Sequence, residues 1–151
     1  ESNITNSINI LENEIEQIKE EEKQELQSSE NLQWLRQHLG AACQKYGFVG
    51  FVLFEPGGIE VGALLDAPIG KSDLSKKSGF FFRSLQGKTQ LSHPFPGEVD
   101  LPDIQGKFRA NRPTLFVSTP VFGQLNEVIG VLAFRIRPET GFSQIFSQGR
   151  F

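Results

Sequence analysis

Three consecutive phenylalanines followed by an arginine form the group of side chains best suited to bind a small molecule. They are Phe80, Phe81, Phe82 and Arg83. Small-molecule sites combine apolar and aromatic walls with a few polar groups that orient the ligand. On a helix Phe80 and Arg83 share a face, because they lie three residues apart. Two interpretations stay open. Either these residues form a ligand site that contains a cation, or the rings belong to the core and the arginine is solvated.

A second arginine, Arg135, lies within the last apolar segment that alternation predicts to be a strand. Alternation separates Arg135 from the residues that we expect in the core, Leu132, Phe134 and Ile136. An arginine that points inward is costly unless it meets an anion. Arg135 therefore lies either at a solvent edge or against a ligand. In the preceding segment, Phe116 shares one face with Ser118.

The residues needed for catalysis or metal binding are scarce. There are two histidines, His38 and His93, and no paired-histidine metal motif, nucleophile elbow or phosphate-binding glycine loop. His93 is either a ligand contact or an ordinary loop residue. The single cysteine, Cys43, cannot form a disulfide within the chain, and we expect it to be a small buried apolar residue. We expect no enzymatic activity, no metal and no cofactor.

Composition limits the class of protein. The chain has 151 residues, 15 basic and 18 acidic side chains and a net charge of −3. One domain is expected at this length, and the charge balance argues against nucleic-acid binding. No apolar run in these residues is long enough to span a membrane, and we expect no signal peptide among them. The chain opens inside an amphipathic repeat and contains no methionine, so we expect a piece of a longer protein.

The first residues form an amphipathic repeat with apolar side chains spaced four, three, four and three apart: Ile4, Ile8, Leu11, Ile15 and Ile18. That spacing defines one helical face and a short heptad seam. The seam either packs on its own domain or forms a dimer contact or signal-carrying stalk. Ser29 either caps a second helix or lies within one long helix. We expect one long helix over residues 1–47, with a kink near Ser28–Ser29 as the variant, and a stop at Gly47.

Shorter periods follow and predict an α+β fold, a long N-terminal helix packed on an antiparallel sheet of about five strands, with the helices on one side of the sheet. Pro56-Gly57-Gly58 divides a first hairpin. The remaining elements are a short helix over 78–85, an edge strand over 88–92, a long loop over 93–111, a hairpin with strands at 114–121 and 127–137, and a short helix from Pro138.

The last hairpin resembles that of Cache domains, the PAS-like extracytoplasmic sensors of bacterial receptors. Thr119-Pro120-Val121 ends its first strand, and Ile129-Gly130-Val131-Leu132 opens its second. FVLFEPGGIEVG resembles the family's first hairpin. SGFFFRSLQGKTQLSHPF resembles its short helix and following strand, where an aromatic and arginine cluster precedes Gly-Lys-Thr. The likeness runs from about Ile4 to Phe146 and rests on the order and spacing of these segments.

The resemblance implies the distal, ligand-binding module of a double Cache receptor. Residues 1–47 would be a stalk and dimer helix, 48–146 the PAS-like sensor module and 147–151 a linker towards a missing segment. The module would be the periplasmic part of an inner-membrane protein and would signal through its N-terminal helix to a kinase, cyclase or chemotaxis output. A homodimer through that helix is the protein partner that it suggests.

In this family the short helix and the sheet line the ligand pocket. The residues expected to contact a ligand are therefore Phe80, Phe82, Arg83, Ser92, His93, Phe116, Ser118 and Arg135. Family members that bind amino acids carry an aspartate on the last strand, which holds the ligand's amine. Arg135 takes that position here, and the usual tyrosines of the aromatic cluster are phenylalanines. The expected ligand is therefore a carboxylate or another small anion, held by Arg83 or Arg135, rather than an amino acid.

One other class of function fits the same residues. A cytoplasmic PAS-like domain would use its helix for dimerisation or another protein contact and would bind no ligand. Stabilisation by a ligand in a thermal-shift screen separates the two interpretations.

Overall fold

The computed structural model describes residues 2–77, 79–96, 101–102, 108–109 and 113–136. Helix α1 spans Ser2–Ser28 and helix α2 spans Glu30–Tyr46. Ser29 separates them in an extended conformation, and its hydroxyl accepts a hydrogen bond from the Leu32 backbone N–H at 3.1 Å. This is an N-cap, because it satisfies a backbone donor that the first turn leaves without a carbonyl. The expectation of one continuous helix was therefore wrong, and the alternative of a cap at Ser29 is confirmed.

Helix α2 ends at Gly47, as the sequence predicts. Gly47 has a φ of 72°, in the left-handed region that glycine enters without steric cost. The backbone N–H groups of Gly47 and Phe48 both donate to the carbonyl of Cys43. The chain then turns into the first strand of the sheet.

The strands of the main sheet are β1 (Gly50–Phe54), β2 (Glu60–Ala63), β3 (Gln90–Leu91), β4 (Phe95–Pro96), β7 (Pro113–Phe122) and β8 (Val128–Ile136). Their order is β2-β1-β8-β7-β3, and β4 also pairs with the start of β7. All pairs are antiparallel. Both predicted hairpins are confirmed, and the second one forms the centre of the sheet. The five-stranded path and the α+β fold are as predicted.

The region predicted as a long loop contains β4 and a separate two-stranded pair, β5 (Leu101–Pro102) with β6 (Phe108–Arg109). Its other residues and the helix predicted from Pro138 lie outside the described residues. Helix α3 (Phe80–Leu85) follows a single 3-10 turn at Leu74–Lys76 and confirms the predicted short helix. Within the described residues, no helix has the length and apolar character that crossing a membrane requires.

Helices cover both faces of the sheet. Helix α2 lies on one face, where Leu35 lies near Gly62 of β2 and where the ring of Phe48, just after the helix, meets that of Phe134 at 5.2 Å. Helix α3 lies on the other face and closes the main buried cluster, which consists of Val52, Phe54, Phe80, Phe81, Phe116, Val131 and Ala133. The structure thus corrects the prediction that the helices lie on one side.

The correction extends to the predicted core residues of β8. Ile136 is buried, but Leu132 and Phe134 on the same face are only half-buried. Val131 and Ala133 on the opposite face are fully buried. Because α3 brings the rings of Phe80 and Phe81 to that face, it becomes the denser of the two. Cys43 of α2 is buried as expected, and burial raises the pKa of its thiol.

Candidate functional site

Two phenylalanine rings join helix α3 to the centre of the sheet. The rings of Phe80 and Phe116 lie parallel, with centroids 5.5 Å apart and planes 9° apart. Both side chains are fully buried. Beside them, the hydroxyls of Ser84 and Ser118 share a hydrogen bond of 2.7 Å. These contacts fix α3 over β7.

Arg135 lies on the α3 face of the sheet. It pairs in register with Phe116 of the neighbouring strand, and its guanidinium carbon lies 5.1 Å from the centroid of the Phe116 ring. The side chain is half-buried. A guanidinium over an aromatic face is a stabilising cation–π contact, and partial desolvation strengthens it. The guanidinium group of Arg135 is therefore held in a defined position instead of moving freely in bulk solvent.

Arg83 belongs to the same helix as the aromatic cluster and bends towards the sheet edge. Its Nε donates to Oε1 of Gln90 on β3 at 2.9 Å. Its Nη1 also lies close to the backbone of Gly79, where an added Cβ would lie 3.2 Å away. Since Gln90 pairs in register with Ser118, Arg83 lies on the same side of the sheet as Arg135. Both predicted cations thus lie on one face.

The other predicted contacts are distributed unevenly. Phe82 is 57% exposed and meets the edge of Phe81, and His93 is exposed. Ser92 is buried, and its hydroxyl accepts a hydrogen bond from the Phe116 backbone N–H at 2.9 Å. Its own N–H donates to the Phe116 carbonyl. The structure brings together Phe80, Phe116, Ser118 and Arg135. Phe82 and His93 are instead exposed, and Ser92 bonds the backbone of β7 at the edge of the sheet.

Sequence reasoning missed one polar residue on this face. Thr114 is the second residue of β7, two residues before Phe116, and is only 1% exposed. Its Oγ1 is the one buried side-chain polar atom in the described part of the chain that has no hydrogen-bond partner. The alternation that placed Phe116 and Ser118 on one face extends to Thr114 and was the signal that could have found it.

Nothing in the described part of the chain assembles a metal site of three or more His, Cys, Asp or Glu side chains. The face instead offers cationic donors, hydroxyls and aromatic rings. This chemistry suits an anionic or hydroxylated organic solute, because guanidinium groups only donate hydrogen bonds, whereas hydroxyls both donate and accept them.

Comparison with known proteins finds the same architecture in bacterial sensor domains. The sequence matches no family model and no curated protein. The sensor domain of the Vibrio cholerae histidine kinase DctB superposes with a TM-score of 0.59 at 14% identity, over 85% of this chain and 45% of that one. The Escherichia coli DcuS sensor domain gives 0.56 at 16% identity, over 81% and 77%.

A chemoreceptor shows the same fold. The ligand-binding domain of Campylobacter jejuni Tlp3, solved with 4-methylisoleucine, gives a TM-score of 0.55 at 13% identity, over 81% of this chain and 46% of that one. The chain thus spans less than half of the DctB and Tlp3 domains. These neighbours are Cache, or PAS-like, extracytoplasmic sensor domains, and this chain has their fold.

Proposed function

We propose that this chain is the extracytoplasmic ligand-sensing domain of a bacterial transmembrane receptor and that it binds a small carboxylate on the α3 face of its sheet. The fold supports this proposal, since the structural neighbours are sensor domains of a histidine kinase and of a chemoreceptor. In this proposal the domain lies in the periplasm and has no enzymatic activity of its own. A kinase, cyclase or chemotaxis module would carry the output.

The position of Arg135 is the single observation that carries the choice of ligand. A strand residue that faces a helix-covered side of a sheet is usually apolar, yet this one is an arginine held over the Phe116 ring. Its planar fork of N–H donors has the geometry that a carboxylate accepts in a bidentate way. Arg83 adds a second cation on the same side. An amine would meet repulsion from both.

Binding of carboxylates tests this proposal directly. Isothermal titration should show that the domain binds members of a panel of acetate, propionate, lactate and succinate and does not bind simple amines. Arg135→Gln should weaken that binding roughly ten- to hundredfold, the range that a lost charged hydrogen bond gives. The affinity of the Arg135→Lys variant should lie between those of the wild type and Arg135→Gln, because lysine keeps the charge but lacks the planar fork of donors.

A matched control separates this local effect from general electrostatics. Lys88→Gln removes one positive charge just after α3, at an exposed position, and should leave the affinity nearly unchanged. Equal losses for Lys88→Gln and Arg135→Gln would point to nonspecific attraction. Tight binding of an amino acid instead of a simple carboxylate would contradict the proposed ligand class.

We also propose that helix α1 pairs with the same helix of a second copy. The side chains of Ile8, Leu11, Ile15 and Ile18 form one stripe and are each 50–56% exposed. Within the described residues, α1 contacts the domain through its last turns, where Leu26 packs on the cluster of Leu32, Ala63 and Ile69 and Gln27 donates to the Asp66 carbonyl. The stripe therefore does not pack on its own domain, which favours the dimer alternative.

The heptad positions suit a parallel pair. With Ile8 and Ile15 at position a and Leu11 and Ile18 at position d, Glu14 takes position g and Lys19 the following position e. In parallel coiled coils, residues at g and at the next e of the partner face each other across the seam. Glu14 and Lys19 therefore attract each other between copies.

Signalling then requires that the ligand favours one of two arrangements of the paired helices. Equal affinity for both arrangements would change no population. The proposal predicts that α1 continues, in the full-length receptor, to a membrane span of about 20 apolar residues.

A further inference from the structure

A buried hydroxyl near Arg135 makes no hydrogen bond within the described part of the chain. Thr114 is 1% exposed, and no group in the described part of the chain bonds its Oγ1. The other buried hydroxyls of this face are satisfied, since Ser84 pairs with Ser118 and Ser92 bonds the backbone of Phe116. A buried polar group without a partner is destabilising, so a native protein that keeps one has some use for it.

The register of the sheet places Thr114 next to Arg135. Phe116 pairs directly with Arg135, and Thr114 lies two residues earlier on the same face of β7. Such diagonal neighbours on adjacent antiparallel strands lie about 7–8 Å apart. A solute of a few carbon atoms spans that distance. The hydroxyl and the guanidinium can therefore contact opposite ends of one small molecule.

We infer that Thr114 is a specificity-determining residue of this face, which selects carboxylates that also carry a hydroxyl group. The inference rests on the proposed function. Arg135 only donates hydrogen bonds and takes the carboxylate, whereas the threonine hydroxyl both donates and accepts and so pairs with an alcohol. A carboxylate without a second polar group leaves Thr114 Oγ1 unsatisfied and binds less well.

Pairs of acids that differ by one hydroxyl provide the test. Titration calorimetry with lactate against propionate, and with malate against succinate, measures the preference directly. The wild-type domain should favour the hydroxylated member of at least one pair about tenfold, the value of one hydrogen bond to a buried group. Thr114→Val, which keeps the shape and removes the hydroxyl, should abolish that preference and leave the affinity for the unsubstituted acid unchanged.

Two further measurements show that the hydroxyl itself is responsible. Thr114→Ser keeps the hydroxyl and should retain the preference. The unliganded Thr114→Val domain should melt at a higher temperature than the wild type, because the buried group without a partner has been removed. A lower melting temperature would mean that the hydroxyl stabilises the fold and would overturn the inference.

The outcomes separate this inference from the proposed function. A hydroxyl preference that persists in Thr114→Val, or its absence in the wild type, would refute the role of Thr114. If Arg135→Gln still abolished binding of the acids in that case, carboxylate sensing would stand. Failure of the wild-type domain to bind any acid of either pair would refute both.

Discussion

At the scale of single residues, a pair of buried hydroxyl groups helps to connect α3 to the sheet. Ser84 and Ser118 are both fully buried and bond each other. Ser118 faces α3 because it shares alternation with Phe116. A hydrogen bond of this kind adds little to the free energy of unfolding while both partners are present. The loss of one partner, however, leaves the other buried without a hydrogen bond.

Removal of one hydroxyl should therefore destabilise the domain by more than the hydrogen bond itself stabilises it. Ser118→Ala should lower the free energy of unfolding by about 1–3 kcal/mol, since Ser84 Oγ then remains buried without its partner. The double variant Ser84→Ala with Ser118→Ala should cost less than the sum of the single variants. Urea unfolding of the four proteins gives the coupling energy. Strictly additive losses would show that the two hydroxyls do not depend on each other.

At the scale of elements, the break between α1 and α2 marks the point where the chain begins to pack on the core of the domain. Ser29 ends the run of helical backbone, and its hydroxyl caps α2 through Leu32 N–H. Leu32 is the first fully buried residue of α2. The cap thus lies one turn from the point where the helix joins the core, so cap and packing support each other.

Loss of the cap should weaken α2 specifically. Ser29→Ala should reduce the free energy of unfolding by about 1 kcal/mol, the usual value of an N-cap side chain. Ser28→Ala is the matched control, because Ser28 is exposed and its hydroxyl bonds only the preceding turn of α1. That control should stay within about 0.5 kcal/mol of the wild type. Thermal or urea unfolding measures both, and equal effects would argue against the cap.

At the scale of the whole molecule, the chain divides into a packed domain and a projecting helix. Within the described residues, many of the buried apolar side chains of the domain form two clusters, one under α3 and one under α2. The first part of α1 instead presents an apolar stripe to solvent. An exposed row of isoleucine and leucine at heptad spacing is typical of a contact with another helix.

Disruption of the stripe should separate the copies without unfolding the domain. Ile15→Asp places a charge at position a and should shift the protein from dimer to monomer in sedimentation at micromolar concentrations, because a buried charge in the seam is costly. The melting of the sheet should change little. Gln17→Asp, an exposed position off the stripe, is the control. A wild-type domain that stays monomeric at every concentration would contradict the dimer.

Features with a local cause could be predicted from the sequence. The turn at Pro56-Gly57-Gly58, the stop at Gly47 and the alternation of the last two strands each depend on residues within a few positions of one another. These signals were sufficient for both hairpins, the short helix and the α+β class. The break at Ser29 was foreseen only as an alternative, because a serine is equally compatible with the middle of a long helix until packing fixes Leu32.

Which face of β8 carries the densest core could not be predicted. Alternation assigns Val131 and Leu132 to opposite faces, but it does not say which face receives α3 and its aromatic rings. The surroundings of the arginines depend on the same choice. Thr114 shows this limit clearly, since its hydroxyl would be ordinary on an exposed strand and is exceptional only because the fold buries it.

The sequence by itself therefore determined both hairpins, the short helix α3, their order and the faces that alternate along each strand, since these follow from backbone conformation and residue spacing. Only the tertiary structure decided that α3 covers the face of Arg135, that Phe80 stacks on Phe116, and that α1 leaves its apolar stripe uncovered. Those outcomes depend on contacts between residues far apart in the chain, which no local pattern encodes.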